Sequence, residues 1–356
     1  MARVFVTNSY NDNLSVLSKR DYIHSIAKQL LTANHDWIEM DLTSFEGFID
    51  PNIIDPYLKK YQLKENDIII YQSPLYCFTN NHTNGTYYFE QALIEYFKSL
   101  GCIVVGFHHD FIPFLRKEKW QLDNYNRYLV PLSYQFDWNL VPINMIDKLV
   151  DEYGFYNALS YPYHFPNYHF IDKDIKHKFD HNILYLGDLS KFTLGAKELD
   201  INDWNINFIG SHSDVLKNAN DSLNVQDSIP PENASDTIRK YDYGLIWDQS
   251  NSDAINEYSR FNFPAKFSSY LSAGIPVIVG KKNEYIANLV QKFNIGYVID
   301  KLNDIDNINV NEQQWQEQLA NVIYYRKAGS KYFVKTIKED INKIRMMSNG
   351  INRRTK

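Results

Sequence analysis

Short apolar runs alternate with amphipathic stretches along most of the chain. Arg3–Thr7 (RVFVT), Trp37–Leu42, Asp67–Gln72 (DIIIYQ) and Cys102–Phe107 (CIVVGF) read as strands. Between them, Ser18–Leu31 carries Tyr22, Ile26 and Leu30 at helical spacing, and a helical stretch surrounds Pro56–Tyr61. Tyr87–Leu100 reads as a helix stopped by Gly101. Buried strands alternating with helices at this rhythm predict βαβ units and a parallel sheet.

Residues 155–181 interrupt the rhythm with Pro, aromatics, His and charge, and are predicted to connect two domains. Alternation then resumes. Asn182–Gly187, Asn205–Gly210, Tyr243–Trp247 and Pro276–Gly280 read as strands, with helices at 231–241, 263–273 and 283–293. From Glu312 to Met347 the pattern predicts two helices separated near Gly329. The expected organisation is an N-terminal domain over 1–160, a second over 161–328, and a terminal helical segment, 329–356, packing back on the first. Two successive α/β halves place a ligand outside the carboxyl ends of the strands, between the halves.

Composition narrows the classes. At 356 residues the chain exceeds what one core usually organises, and its net charge of −6 gives no reason to expect nucleic acid. Only Arg353, Arg354 and Lys356 form a basic cluster, read as a solvated tail. No run approaches the roughly 18–20 apolar residues that span a bilayer, and MARVFVTNSYND lacks a signal-peptide core, so a cytoplasmic location is expected. Cys77 and Cys102 are too few for a disulfide framework or a thiolate metal site. The Gly-rich dinucleotide and P-loop fingerprints are missing, which disfavours dehydrogenases and P-loop enzymes.

Candidate chemistry concentrates in EYSRFNFPAKFSSYLSAGIPVIVG, residues 257–280. Asn262 suits an N-cap, Pro264 a first helical turn, and Gly274 the C′ position before Ile275-Pro276. The predicted helix therefore carries Lys266 in its first turn. A cation there opposes the helix dipole by about 0.3–1 kcal/mol, so local stability does not explain it. An exposed surface lysine is one reading; a bound diphosphate, met by free backbone N–H groups and the ammonium, is the other, which the small-residue entry S-A-G-I-P-V favours.

Those residues, with RVFVTN, GFHHDFIPFLR, VPINMIDKL, LYLGDLSKF and YGLIWD, carry a resemblance over nearly the whole chain. It resembles glycosyltransferases of the GT-B fold, two Rossmann-like domains facing across a cleft. More narrowly, it is similar to the accessory glucosyltransferases that extend glycans on serine-rich repeat adhesins of Gram-positive bacteria. The resemblance implies that Lys266 binds the UDP diphosphate and that Lys191 is a second contact, where the family has Arg. It also implies that Ser228 and Asn262 line the nucleotide pocket. Glucose from UDP-glucose would pass to N-acetylglucosamine on Ser/Thr of a serine-rich protein, without metal or other cofactor, and the enzyme would be a homo-oligomer, a tetramer. The ribose-binding glutamate of the larger retaining family falls here at Ser269 and its partner at Phe261, so both carboxylates are absent. Ser269 remains a candidate ribose contact or an ordinary helix serine.

Other candidates follow strand ends. His109 and Asp110, after CIVVGF, suit proton transfer or steadying of developing charge, with a loop-capping carboxylate as the alternative. Asp110 is the leading catalytic candidate. Asn8, Ser9 and Ser15 follow the first strand, and Asp248 follows the strand YGLIW, where it could touch the sugar. His108 and His109, adjacent on a strand, point to opposite faces and do not make a metal site. Asp172-Lys173-Asp174 and Asp304-Ile305-Asp306 match a metal-binding D-x-D pattern but read as solvated loops. Two rival functions share these motifs: transfer to capsule, exopolysaccharide or another surface glycan, and a non-catalytic nucleotide-sugar-binding partner of another transferase.

Overall fold

The computed structural model describes residues 2–10, 22–45, 50–73, 75, 84–109, 131–162, 178–248 and 253–352. The chain divides into two compact units, one built from residues up to 163 together with those from 332 onward, the other from residues 164–331.

The first unit runs β1 (Val4–Asn8), α1 (Tyr22–Asn34), β2 (Ile38–Asp41), α2 (Ile54–Leu58), β3 (Ile68–Ser73), α3 (Asn84–Ser99), β4 (Ile103–His108), β5 (Trp138–Pro142), α4 (Ile146–Tyr153) and β6 (Ala158–Tyr161). Its strands pair in parallel in the order β2-β1-β3-β4-β5-β6. All of β1 and β3 is buried, as strands covered on both faces must be. Phe5, Ile69, Tyr71, Phe89, Phe97 and Phe136 form the core on one face of this sheet.

The second unit runs β7 (Asn182–Asp188), α5 (Thr193–Glu198), β8 (Asn205–Ser211), α6 (Ser213–Ala219), β9 (Asn224–Asp227), α7 (Pro231–Ile238), β10 (Tyr243–Ile246), α8 (Asp253–Phe261), α9 (Ala265–Ala273), β11 (Val277–Gly280), α10 (Glu284–Phe293) and β12 (Gly296–Ile299). Its parallel order is β12-β11-β10-β7-β8-β9, the Rossmann arrangement, in which the direction of winding reverses between β7 and β10. Tyr185, Phe208, Tyr243, Trp315 and their neighbours fill its core.

Three expectations are corrected. The C-terminal segment is one helix, α11 (Glu312–Asn352), which runs unbroken through Gly329. A mid-helix glycine costs about 1 kcal/mol relative to alanine, which buried neighbours such as Tyr325, Phe333 and Ile337 outweigh. β5, β6, β9 and β12 were not expected; each has only four or five residues, too few for a readable period. The helix after Asn262 starts at Ala265 with Pro264 as its N-cap, while the Asn262 amide donates to Tyr258 O at 2.9 Å and closes α8 instead. The other end is as expected: Gly274 is left-handed (φ 89°), and the amides of Gly274 and Ile275 return to Tyr270 O.

Among the described residues, no helix is long and apolar enough to cross a membrane.

Candidate functional site

The reversal between β7 and β10 is where an open parallel sheet offers a crevice. These strands pair only at Tyr243↔Ile183 and Gly244↔Leu184. Beyond that point the Tyr270 hydroxyl takes over the ladder, accepting from Leu186 N at 2.8 Å and donating towards Leu184 O at 3.0 Å. Gly244 makes the insertion possible, since a Cβ there would lie 2.2 Å from the Tyr270 ring. Lys266 is one turn before Tyr270 on α9 and shares its face.

The side chain of Lys266 is 13% exposed and that of Asp248 14%. Lys266 Nζ lies 3.3 Å from Asp248 Oδ1 and 4.2 Å from the centre of the Tyr185 ring. Burial alone would lower the ammonium's pKa; the carboxylate of Asp248, with Tyr185 and Tyr270, more than reverses this and holds it above the ordinary lysine value. For Asp248, burial pulls upward, but Lys266, then Lys191 and the Asn283 amide, hold it below the usual carboxylate value. Both groups are therefore charged at neutral pH. A mostly buried ion pair adds little net stability over apolar packing, so its presence calls for a use.

Lys191 supplies the next positive charge. It is exposed in a 3-10 turn, Leu189–Phe192, directly after β7. Its charge acts on both Asp248 and Asp188. Asp188 accepts from Ser190 N at 3.1 Å, from Ser190 Oγ at 2.7 Å and from His212 Nδ1 at 2.9 Å. Burial would raise the Asp188 carboxyl, but these donors and Lys191 hold it low. Along the adjacent ends of β10 and β7 the charges thus alternate, Lys266, Asp248, Lys191 and Asp188, with His212 beyond them after β8.

Asn283 escaped the sequence reading. It occupies the N-cap slot of α10, yet its side chain makes no cap there. Its Nδ2 instead donates to Asp248 Oδ2 at 3.3 Å and Ser259 O at 3.2 Å, leaving the other oxygen of Asp248, Oδ1, for Lys266. An Asn before Glu284 looks like any helix start, so the sequence carries no signal of this second use.

The remaining expected residues are dispersed. Ser269 is buried and its hydroxyl donates to Ala265 O at 3.0 Å within α9. Ser228 is exposed after β9, two strands from β7. Asn262 is half-buried between α8 and α9. Asp304 and Asp306 lie in a 3-10 turn, Leu302–Asn307, and their carboxylates accept backbone amides of Asp300 and Lys301, and of Asn202 and Asp203. Ser15, Asp110, Cys77 and the Asp172–Asp174 pair lie outside the described residues.

In the first unit, a different polar group occupies the strand ends. Asn8 ends β1, donating to Glu39 Oε1 at 2.9 Å and accepting from Tyr10 N at 3.2 Å. Gln72 Nε2 donates to His24 O at 2.9 Å and to Thr7 O, so Oε1 is the atom facing His109 Nε2 at 2.7 Å. His109 must then carry its proton on Nε2. Its ring stacks on His24, centroids 4.8 Å apart. Burial, then the neighbouring histidines, keep His109 well below the ordinary histidine value; burial takes His24 down to about 3 and His108 to about 4. His109 is therefore a neutral hydrogen-bond donor rather than a strong base at neutral pH.

Residues 3–157 match the N-terminal domain of the "Glucosyltransferase 3-like" family, and residues 183–341 match its C-terminal domain. Glucosyltransferase 3 of Streptococcus gordonii is 27% identical over 291 residues, covering 76% of this chain and 78% of that protein. Among solved structures, sucrose-phosphate synthase from Thermosynechococcus elongatus superposes with a TM-score of 0.54 at 10% identity, over 100% of this chain and 99% of that one. An E. coli trehalose-6-phosphate protein bound with UDP-2-fluoro glucose gives 0.50 at 10% identity, over 94% and 91%. S. aureus TarM in complex with UDP gives 0.52 at 11% identity; the match covers 83% of this chain but only 58% of TarM. These three likenesses bear on the fold, which is that of GT-B glycosyltransferases.

Proposed function

We propose, on the premise that this chain belongs to the glucosyltransferase 3-like family, that it transfers a hexose from a UDP-sugar and releases UDP. The observation that carries this reading is the meeting of Lys266, Asp248 and Lys191 at the topological switch point of the C-terminal sheet. Breaking the bond from anomeric carbon to phosphate leaves negative charge on the diphosphate. Lys266, kept charged by Asp248, lies at the positive end of α9 where that charge would grow, and Lys191 supports it from β7. A diphosphate would compete with Asp248 for Lys266, so the carboxylate holds the ammonium in place until the ligand arrives.

Two lysines in these positions would offset the diphosphate charge that a divalent metal otherwise offsets, and we propose a reaction without metal. Lysine at 191 gives a point charge rather than a two-pronged guanidinium, so this contact directs the phosphate less strictly. In the N-terminal unit, Gln72, His109 and His24 are buried and bonded to one another and to backbone, and would hold in place the strand ends beside which an acceptor sugar binds.

The finer reading takes glucose as the sugar, which the name of the S. gordonii relative supports. It takes N-acetylglucosamine on Ser/Thr of a serine-rich adhesin as acceptor, in the cytoplasm, by a homotetramer, as the motif resemblance implies. Incubating the purified protein with a panel of UDP-sugars and a GlcNAc-modified serine-rich peptide, in EDTA, tests it. Glucose transfer is expected. Absence of both transfer and sugar hydrolysis with every donor would make the chain a binding partner instead.

A further inference from the structure

We propose that His212 is a third phosphate-binding group of the nucleoside diphosphate site, engaging an anionic oxygen through Nε2 as an imidazolium. This rests on the donor-site reading above and extends it to a residue that the sequence motifs do not mark.

His212 follows β8 in the left-handed region, φ 58° and ψ 38°. A residue with a side chain is strained there, and such strain persists where something repays it. Burial does not repay it, because the side chain is 58% exposed. The conformation instead aims the imidazole at Asp188, whose Oδ1 is 2.9 Å from Nδ1. Strands β7 and β8 run in register through Asp188↔Ser211, so the histidine stands one strand over from Lys191. Glycines line that seam: a Cβ on Gly210 would lie 1.6 Å from Gly187 O, which leaves the backbone beneath bare of side chains.

The tautomer follows from the partner. Asp188 is ionised at neutral pH and can only accept, so the Nδ1 proton points at it. Neutral His212 therefore presents a lone pair at Nε2, which repels a phosphate oxygen. Proton uptake converts Nε2 into a donor, and Asp188 steadies the resulting cation from behind. The charged groups on the surrounding elements are Asp188 and Lys191 beside β7, Lys197 on α5, Asp214 and Lys217 on α6, and Asp227 on β9, which takes the Ser213 hydroxyl. The contact exists only with the imidazolium, so the share of diphosphate affinity that His212 supplies should be larger at pH 6 than at pH 8.

The test is calorimetry of UDP binding by the full-length protein at pH 6 and pH 8, in EDTA, for wild type, His212→Gly and Lys266→Ala. Repeating each in buffers of different ionisation enthalpy gives the protons taken up. UDP has its own titration, which cancels in the difference between wild type and variant. Glycine relieves the left-handed strain, so His212→Gly should melt no lower than wild type. It should bind UDP about fivefold to tenfold more weakly at pH 6, an exposed charge-assisted contact, with a smaller loss at pH 8 and less proton uptake. His212→Asn, which also tolerates this backbone, should behave alike. Folded variants that match wild type at both pH values, or lose equally at both, overturn the proposal. Loss of binding in Lys266→Ala alongside unchanged His212→Gly would refute only the histidine's role, whereas unchanged Lys266→Ala would refute the donor site itself.

Discussion

The two units present polar groups at the same place, the carboxyl ends of a parallel sheet, but by opposite electrostatics. In the C-terminal unit the groups are charged and alternate in sign from the mostly buried Lys266 and Asp248 to Lys191 and Asp188. In the N-terminal unit they are buried and neutral: Gln72 joins His109 to the backbone of His24, His108 bonds the Asn139 side chain, and burial holds the histidines uncharged. A diphosphate needs fixed positive charge that survives desolvation, and only a carboxylate partner keeps a buried lysine ionised. The same scaffold therefore enforces opposite protonation states at equivalent strand ends, and the proposed donor site would use the charged one.

Acid should separate the units most strongly. For His24 the folded value, about 3, lies below the ordinary 6.5, so the unfolded chain takes up protons first. Stability from neutral burial is present above pH 6.5 and drains as pH falls towards 3, by on the order of 1.4 kcal/mol per pH unit for each such histidine. His108 adds to this down to about 4. In the C-terminal unit the Asp248 contribution persists until pH drops below the ordinary carboxylate value of 3.8. Hydrogen exchange at pH 5 should show β1, β3 and β4 opening before β7, β10 and β11. Simultaneous opening would remove the contrast.

Asp248→Asn sharpens the comparison from the other side. It strands a mostly buried ammonium and sets two amide donors, those of Asn283 and the new Asn, against each other. The loss should be about 2–4 kcal/mol in thermal or denaturant unfolding. UDP should return more stability to this variant than to wild type, because the diphosphate replaces the missing anion without a competitor. A variant that UDP fails to stabilise would show that Lys266 is held for packing alone.

The smallest effect is expected for Lys191→Arg. Restoring a two-pronged guanidinium at this exposed position should tighten UDP binding by about 0.5–1 kcal/mol and leave the melting temperature within error. Weaker binding would mean that the lysine's reach matters more than its geometry.

Much of this was legible before any coordinates. The long apolar runs of β1, β3, β4, β7, β8, β10 and β11 announced two doubly wound sheets, and the Pro264-to-Gly274 punctuation announced α9 with Lys266 near its start. What escaped depends on tertiary encounters. Short β5 and β6 exist because the sheet extends past β4, not because WNLVP or ALSY has a readable period. Lys266 opposed the dipole of its own helix without visible recompense, and the recompense is Asp248, 18 residues away. Asn283 only opened the predicted helix 283–293, and nothing in the pattern marked His212. Their roles come from a cap forgone and a left-handed backbone, neither of which is written in composition or spacing.

The most direct measurement of the central claim is calorimetry of UDP with wild type and Lys266→Ala in EDTA, beside a melting curve of each. Removing Lys266 leaves Asp248 without its ion-pair partner, so the variant should melt lower while remaining folded. Its UDP affinity should fall by about 1.5–3 kcal/mol, the scale of a charge-assisted hydrogen bond to phosphate. A folded Lys266→Ala protein that binds UDP as tightly as wild type would contradict the account, and the switch point of the C-terminal sheet would not be the donor site.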